Sequence, residues 1–214
     1  MRVARTDEYR EALRLAEEAL NQADLSALAQ RAGAEVMRHD INTLQLRIFF
    51  FNDPVHLRPG NPFIIRNEKQ GTEVSLEEKI ILCHYLLQAK GTSPSGQWIT
   101  FRQIPDGQFY DAAFQQRTRG PFLAFFGDRP DLFRASAEKL AGVPIAAGDA
   151  GMIFPVLPKV PVQLILWQGD EELPPESTIL FDATISDYLP AEDIAVLSGM
   201  LVYRLISMAK TLQG

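Results

Sequence analysis

Hydrophobic and polar positions change their period along the chain, and each change predicts a different element. Apolar residues recur at helical spacing over residues 6–20. Ser75 followed by Glu78 forms a capping box, which predicts a helix over residues 76–89. Between these helices, residues 44–50 alternate apolar and polar side chains, which predicts a strand that continues into a hairpin.

The second half of the chain predicts short helices and then an antiparallel meander. The helical segments are residues 108–116, 121–126 and 130–141, and the strands are 151–157, 162–167 and 178–181. A broad apolar face after Pro190 predicts a long, packed C-terminal helix. Together these elements predict an α+β fold: a mixed or mainly antiparallel sheet packed with helices, in one globular domain over residues 1–214.

Composition and charge exclude several classes of protein. The net charge is -6, and the basic residues are scattered, which argues against a nucleic-acid surface. The single cysteine, Cys83, excludes an internal disulfide framework and a four-thiolate metal site. The charged N-terminus does not resemble an export signal, and the uncharged stretch 194–203 is shorter than the ~20 residues that span a bilayer. These features predict a cytoplasmic protein without a membrane anchor.

Acidic residues are concentrated at one predicted turn. Asp170, Glu171 and Glu172 follow the strand that Gly169 interrupts, and Asp182 ends the next strand. An antiparallel hairpin could bring Asp182 near this turn, where Asp170, Glu172 and Asp182 would bind a hard divalent cation or supply a paired acid and base. The alternative is a solvated turn, because acidic residues beside glycine and proline are typical of exposed loops.

Three arginines are candidates for binding an anion. Arg102 follows the predicted strand at Trp98, and Arg117 and Arg119 precede the helix that starts near Pro121. The alternative is surface pairing with the surplus carboxylates. The predicted ligand-binding residues combine these groups with aromatic side chains and the acidic turn in one cleft: Trp98, Arg102, Tyr110, Arg117, Trp167, Asp170, Glu171, Glu172 and Asp182.

No motif in the chain encodes a cofactor, so the cofactor is unknown. His39, His56 and His84 lie in different elements and match no zinc-binding spacing. Cys83 and His84 are adjacent on a helix and point about 100° apart, which favours a buried core cysteine over a nucleophile and base. No glycine-rich phosphate loop or nucleophile elbow is present in the sequence.

Four sequence segments carry a resemblance to a known family. They are LCHYLL at 82–87, SGQWITFR at 95–102, LILWQGDEELPP at 164–175 and LFD at 180–182. In these segments the chain resembles domain-of-unknown-function family 3786 of anaerobic prokaryotes, whose members are sometimes fused to an iron-sulfur module. The resemblance implies a role in anaerobic redox or one-carbon metabolism, with any cluster on an iron-sulfur or corrinoid partner protein. It implies no activity and no catalytic residues.

These observations support three hypotheses about function. The first is a cytoplasmic ligand-binding or accessory protein linked to anaerobic iron-sulfur or corrinoid redox metabolism. The second is a divalent-metal-dependent enzyme that uses the acidic residues between Asp170 and Asp182. The third is a structural protein that forms a homodimer through its C-terminal helix. Whether the chain is an enzyme is left open by the sequence.

Overall fold

The chain divides into two compact units. A computed structural model describes residues 2–38, 40 and 43–213, with side chains from residue 7 onward. The first unit runs up to Ser93 and includes Leu157–Lys159 and Asp187–Leu189; the second contains Pro94–Val156, Val160–Ser186 and the chain from Pro190. The single domain predicted over residues 1–214 is not tested by this division and stays a prediction.

The first unit combines three helices with a four-stranded sheet. Its helices are α1 (Arg2–Gln22), α2 (Leu25–Ala32) and α3 (Leu76–Gln88), and its strands are β1 (Glu35–Arg38), β2 (Leu44–Phe50), β3 (Asp53–Arg58) and β4 (Ile64–Asn67). The strands are antiparallel neighbours in the order β1-β2-β3-β4. Helix α1 begins before residue 6, where the apolar stripe predicted its start.

Alternation along the strands separates the two faces of this first sheet. Leu46, Ile48 and Phe50 are buried, and the intervening Arg47 and Phe49 lie on the opposite face. Helix α3 packs against α1 and starts with the predicted capping box.

The second unit contains four helices and a five-stranded sheet. Its helices are α4 (Gly107–Arg117), α5 (Arg119–Phe126), α6 (Pro130–Lys139) and α7 (Ala191–Gln213). Its strands are β5 (Trp98–Thr100), β6 (Val143–Ile145), β7 (Ala150–Leu157), β8 (Val160–Trp167) and β9 (Glu176–Asp182), in the order β5-β9-β8-β7-β6. The predicted meander is therefore present as β7, β8 and β9, and the α+β class is confirmed.

Aromatic rings hold α4 on the second sheet. A 3₁₀ turn at Phe101–Gln103 follows β5, and the ring of Phe101 stacks on Phe114 of α4 with 4.2 Å between centroids. Both rings also contact Phe181 of β9. Offset and edge contacts of this kind stabilise a core beyond the area they bury. The chain therefore leaves the sheet edge at residue 101 and passes onto the sheet's face.

One helix among the described residues is long and apolar enough to span a bilayer by length and composition. This helix is α7, and half of its most apolar 18-residue stretch is buried. Buried core helices have this composition as well. The cytoplasmic location expected from the sequence stays a prediction.

The capping box of α3 predicts a measurable loss of stability. The Glu78 N–H donates to the Ser75 hydroxyl (3.3 Å), and the Ser75 N–H donates to the Glu78 carboxylate (2.9 Å). We expect Ser75→Ala to lower the free energy of unfolding by about 1 kcal/mol, because it removes one partner of this pair. Urea denaturation followed by circular dichroism measures the change. Ser93→Ala, at an exposed position outside the helix, is the control, and an equal loss in both variants would contradict the assignment.

Candidate functional site

Strand β9 is paired over six of its seven residues on one side and over three of them on the other. Its register with β8 runs from the Glu176–Trp167 pair to the Phe181–Val162 pair without a break. On the opposite side, β5 faces only the last three residues of β9, and its final pair joins Thr100 to Leu180. Residues 176–179 therefore form a sheet edge that no described strand covers.

Main-chain N–H and C=O groups alternate in direction along a strand, and one hydrogen bond next to β9 shows which of them face this free edge. The Ala183 N–H donates to the Gln97 carbonyl (2.8 Å), in register with the pairing of β5 and β9. In an antiparallel strand, alternate residues direct their N–H and C=O to the same side. Ile179 and Ser177 therefore direct theirs to the free edge. Neither residue makes a hydrogen bond there to any other described part of the chain.

A cleft of about 410 Å³ lies along this free edge. It is lined by Thr100, Phe101, Arg102, Asp111, Phe114, Gln115, Thr118, Arg119, Ser177, Thr178 and Ile179. Three of these residues, Phe101, Phe114 and Ile179, are buried apolar side chains, and the others bring hydroxyl, amide and charged groups. An apolar floor with a few polar groups is typical of a binding cleft.

The charged groups at the cleft are already arranged in pairs. Arg102 lies 3.9 Å from the Asp111 carboxylate, and Arg119 donates a hydrogen bond to Glu176. The Arg102 and Arg119 side chains are exposed, at 70% and 44%, and of their partners Glu176 is exposed and Asp111 half-buried. Exposed pairs contribute roughly 0–1 kcal/mol, so a carboxylate on a ligand can replace Asp111 or Glu176 at little cost.

The three candidate arginines have different surroundings. Arg102 and Arg119 line the cleft, which agrees with the predicted anion-binding role without testing it. Arg117 instead packs on α7, because a Cβ at Gly199 would lie 3.4 Å from the Arg117 Cβ. Tyr110 is half-buried on α4, one position before Asp111.

The two tryptophans lie at opposite ends of β9. Trp98 pairs with Asp182, whereas the 41% exposed Trp167 pairs with Glu176. The seven residues of β9 separate these ends by about 20 Å. The structure therefore does not bring Trp98 and Trp167 into the single cleft that the sequence suggested.

Asp182 is a buried structural acceptor. The residue is 1% exposed, and its carboxylate accepts hydrogen bonds from the main-chain N–H groups of Ser95, Gly96 and Thr184 and from the hydroxyls of Ser95 and Thr184. Burial alone would raise the pKa of Asp182, but these hydrogen bonds outweigh it and lower the pKa to about 2. Four of these donors meet Oδ1 and one meets Oδ2, so the carboxylate is engaged by the protein's own groups.

The acidic turn is held by its own hydrogen bonds. The Asp170 carboxylate accepts from the N–H groups of Glu172 and Leu173 at 2.8 Å each, and these bonds lower the pKa of Asp170. Glu171 and Glu172 are exposed. Because β9 runs away from the turn, Asp182 lies at its far end, and the predicted convergence of Asp170, Glu172 and Asp182 is wrong. In the described part of the chain, no three acidic, histidine or cysteine side chains form a metal-binding group.

Cys83 is a core residue, as the sequence predicted. It is fully buried, and burial raises the pKa of its thiol well above the ordinary value. His84 is half-buried beside it on α3, and His56 lies on β3. His39 lies outside the described residues. A nucleophilic role for Cys83 has no support from this arrangement, because a buried thiol is seldom ionised.

Sequence reasoning missed Ser177 and Ile179, which contribute main-chain groups to the cleft. No side-chain pattern marks them, because Ser177 and Ile179 belong to an ordinary strand. Their importance depends on where β5 ends, at Thr100. One local signal could have indicated this end. The short strand β5 is followed at once by Phe101, whose side chain packs in the core.

The hydrogen bonds of Asp182 predict a pH-dependent effect on stability. We expect Asp182→Asn to lower the free energy of unfolding by roughly 2 kcal/mol at neutral pH, because the amide replaces one acceptor oxygen. The carboxylate's contribution is fully present above the unfolded pKa of 3.8 and is lost as the pH falls toward about 2. The difference from wild type should therefore shrink between about pH 4 and pH 2. Urea denaturation across this range is the measurement, with the exposed Asp128→Asn as control; a constant difference would contradict the assignment.

The free edge predicts a pattern of amide exchange in β9. The Ser177 and Ile179 amides face the cleft, whereas the Thr178 and Leu180 amides face β8. We expect the first pair to exchange with solvent deuterium faster than the second pair, since only the second pair is protected by the ladder. Residue-resolved NMR exchange measures this, and equal protection of all four amides would show that the edge is covered.

Comparison with known proteins places the chain in one family. A search of curated proteins and a search of solved structures each found no match. A family model described as Domain of unknown function (DUF3786) matches residues 24–204, which is most of the chain. That description names no activity, so the expected link to an anaerobic iron-sulfur or corrinoid partner stays a prediction. The chain belongs to the DUF3786 family.

Proposed function

We propose that the protein is a binding or accessory protein that holds an extended peptide segment of a partner protein in the cleft along β9. The observation that carries this proposal is the free edge at Ser177 and Ile179, whose main-chain N–H and C=O groups face the cleft without a hydrogen-bond partner among the described residues. An extended peptide satisfies such groups by adding a strand to the sheet.

The energetics of the free edge favour this kind of ligand over an apolar one. Ile179 is only 6% exposed, so its surroundings are largely desolvated. Main-chain groups in such surroundings need partners, and water or another main chain can supply them. A peptide replaces the water with directed hydrogen bonds and covers the apolar floor at Phe101 and Phe114 with a side chain.

The charged rim adds a preference for a carboxylate on the bound peptide. Arg102 and Arg119 lie beside the free edge, and their present partners Asp111 and Glu176 are held through weak, exposed pairs. An acidic side chain or a C-terminal carboxylate can take a guanidinium in the bidentate geometry that arginine favours. The accessory role expected from the family resemblance would then consist of binding such a peptide segment of a partner protein.

The main-chain contact is tested with a matched pair of variants. Peptides are selected from a random library on the full chain, and their affinities are measured by fluorescence polarisation. We expect Ser177→Pro to weaken binding by roughly tenfold or more, because proline removes the N–H that faces the ligand. That N–H makes no ladder bond, and proline is tolerated at such edge positions. Ser177→Ala keeps the main chain and should bind about as well as wild type.

The outcomes separate the proposal from its rivals. Failure to select any peptide, or equal affinity of wild type and a folded Ser177→Pro variant, would show that the edge does not bind a strand. Arg102→Gln and Arg119→Gln should weaken acidic peptides by roughly three- to tenfold, whereas Arg129→Gln, outside the cleft, should not. If Arg129→Gln weakened binding equally, the arginines would act through general electrostatic attraction and not through specific pairing with the peptide carboxylate.

A further inference from the structure

The outward side of helix α7 carries a line of solvent-facing residues along its length. The helix packs against α4, α5 and α6, and its buried positions extend from Ala191 to Ala209. Successive residues of a helix point about 100° apart, so six exposed or half-buried positions fall within about 80° of the circumference. This outer stripe consists of Glu192, Val196, Met200, Tyr203, Ser207 and Lys210.

The outer stripe is apolar in the middle and charged at its two ends. Tyr203 is 57% exposed, and Val196 and Met200 on the same line are half-buried. Glu192 lies in the first turn of α7 and Lys210 in the last, and both are exposed. Neither forms an ion pair with another described residue. An exposed tyrosine flanked by apolar side chains, with charges only at the rim, is typical of a protein contact surface.

The two halves of α7 differ in how much of the helix is covered by the rest of the second unit. Most side chains from Ala191 to Gly199 are buried, whereas most of those from Tyr203 onward are exposed or half-buried. The second half is therefore the less covered one. In a pair of α7 helices that run in opposite directions, the less covered half of each helix packs along the embedded half of the other.

The spacing of the outer stripe suits such an antiparallel pair. From Val196 the stripe advances by four residues and then by three, twice over, which is the spacing of the seam between two packed helices. With a two-fold axis between residues 201 and 202, Met200 faces the second copy's Tyr203. In the same register, Val196 faces the second copy's Ser207. Each contact then occurs twice, as a two-fold interface requires.

The end charges select this orientation over the parallel one. In the same register, Glu192 lies beside the second copy's Lys210 at both ends of the seam. A parallel pair would instead place Glu192 beside Glu192 and Lys210 beside Lys210, and like charges repel. Antiparallel helices also bring the positive end of one helix dipole beside the negative end of the other. Charge complementarity between two copies of this chain therefore identifies the partner.

We propose that the protein forms a two-fold symmetric homodimer in which the outer stripes of two α7 helices pack antiparallel. Tyr203 of each copy packs on Met200 of the other, where sulfur and ring make a favourable contact. No residue of α7 lines the cleft along β9, so the dimer does not depend on the peptide binding proposed for that cleft.

Sedimentation equilibrium of the full chain over a range of micromolar concentrations tests the homodimer. We expect the mass to rise with concentration from 23.9 kDa, the mass of one chain, toward twice that value. Tyr203→Glu should weaken dimerisation by roughly tenfold or more, because it places a charge in the apolar middle of the seam twice. Leu15→Glu is the matched control, since Leu15 is an apolar residue of helix α1 with a similar exposure of 53%. It should dimerise as wild type does.

Exchange of the end charges tests the direction of the helices. Glu192→Lys or Lys210→Glu alone places like charges together at both ends of an antiparallel seam. Each should weaken dimerisation by roughly three- to tenfold at low salt. The double variant restores opposite charges across the seam and should dimerise about as tightly as wild type. In a parallel dimer neither single variant would introduce a new repulsion between opposite charges.

Three results would overturn the proposal. The first is a monomeric mass at every concentration. The second is a dimer that Tyr203→Glu weakens no more than Leu15→Glu does, which would place the interface away from the outer stripe. The third is a double charge variant that dimerises no more tightly than the single ones, which would exclude the antiparallel pairing. Circular dichroism of each variant confirms that it is folded, so a loss of structure is not mistaken for a loss of dimerisation.

Discussion

The Asp182 carboxylate ties the loop before β5 to the end of β9, and the shape of the second sheet's edge depends on this contact. A buried carboxylate must find hydrogen-bond donors, and here Ser95, Gly96 and Thr184 supply them. The loop is therefore held at the far end of β9, and β5 can pair only from that end. Three residues after Trp98 the Phe101 ring joins the core, and no described strand covers the rest of the edge.

Charged side chains around the free edge of β9 also protect the protein against aggregation through that edge. A free strand edge is a template for unwanted pairing, and natural sheets guard such edges with charged groups. Arg102, Arg119, Asp111 and Glu176 occupy this position beside β9. Pairs of opposite sign leave the edge with no net charge and therefore no strong attraction for neutral strands. A peptide whose carboxylate replaces Asp111 or Glu176 can bind to the edge, whereas a strand without such a group cannot form these ion pairs.

Local patterns in the sequence predicted most elements, because those patterns have local causes. The capping box at Ser75 and the alternation in residues 44–50 depend on neighbours along the chain, and both are present in the structure. The error about Asp182 came from the direction of β9: in a hairpin, only the residues next to the turn stay near it. The free edge depends on where a separate strand ends, so no pattern within β9 could predict it.

The reactivity of the buried Cys83 thiol can be used to measure how often the core of the first unit opens. Cys83 lies in the core of the first unit, and it is the chain's single cysteine. A thiol reagent can reach it only when that core opens, so the rate of its modification measures the opening of α3 and its neighbours. A cysteine introduced on the surface would react far sooner and could carry a spectroscopic label without removal of the native thiol.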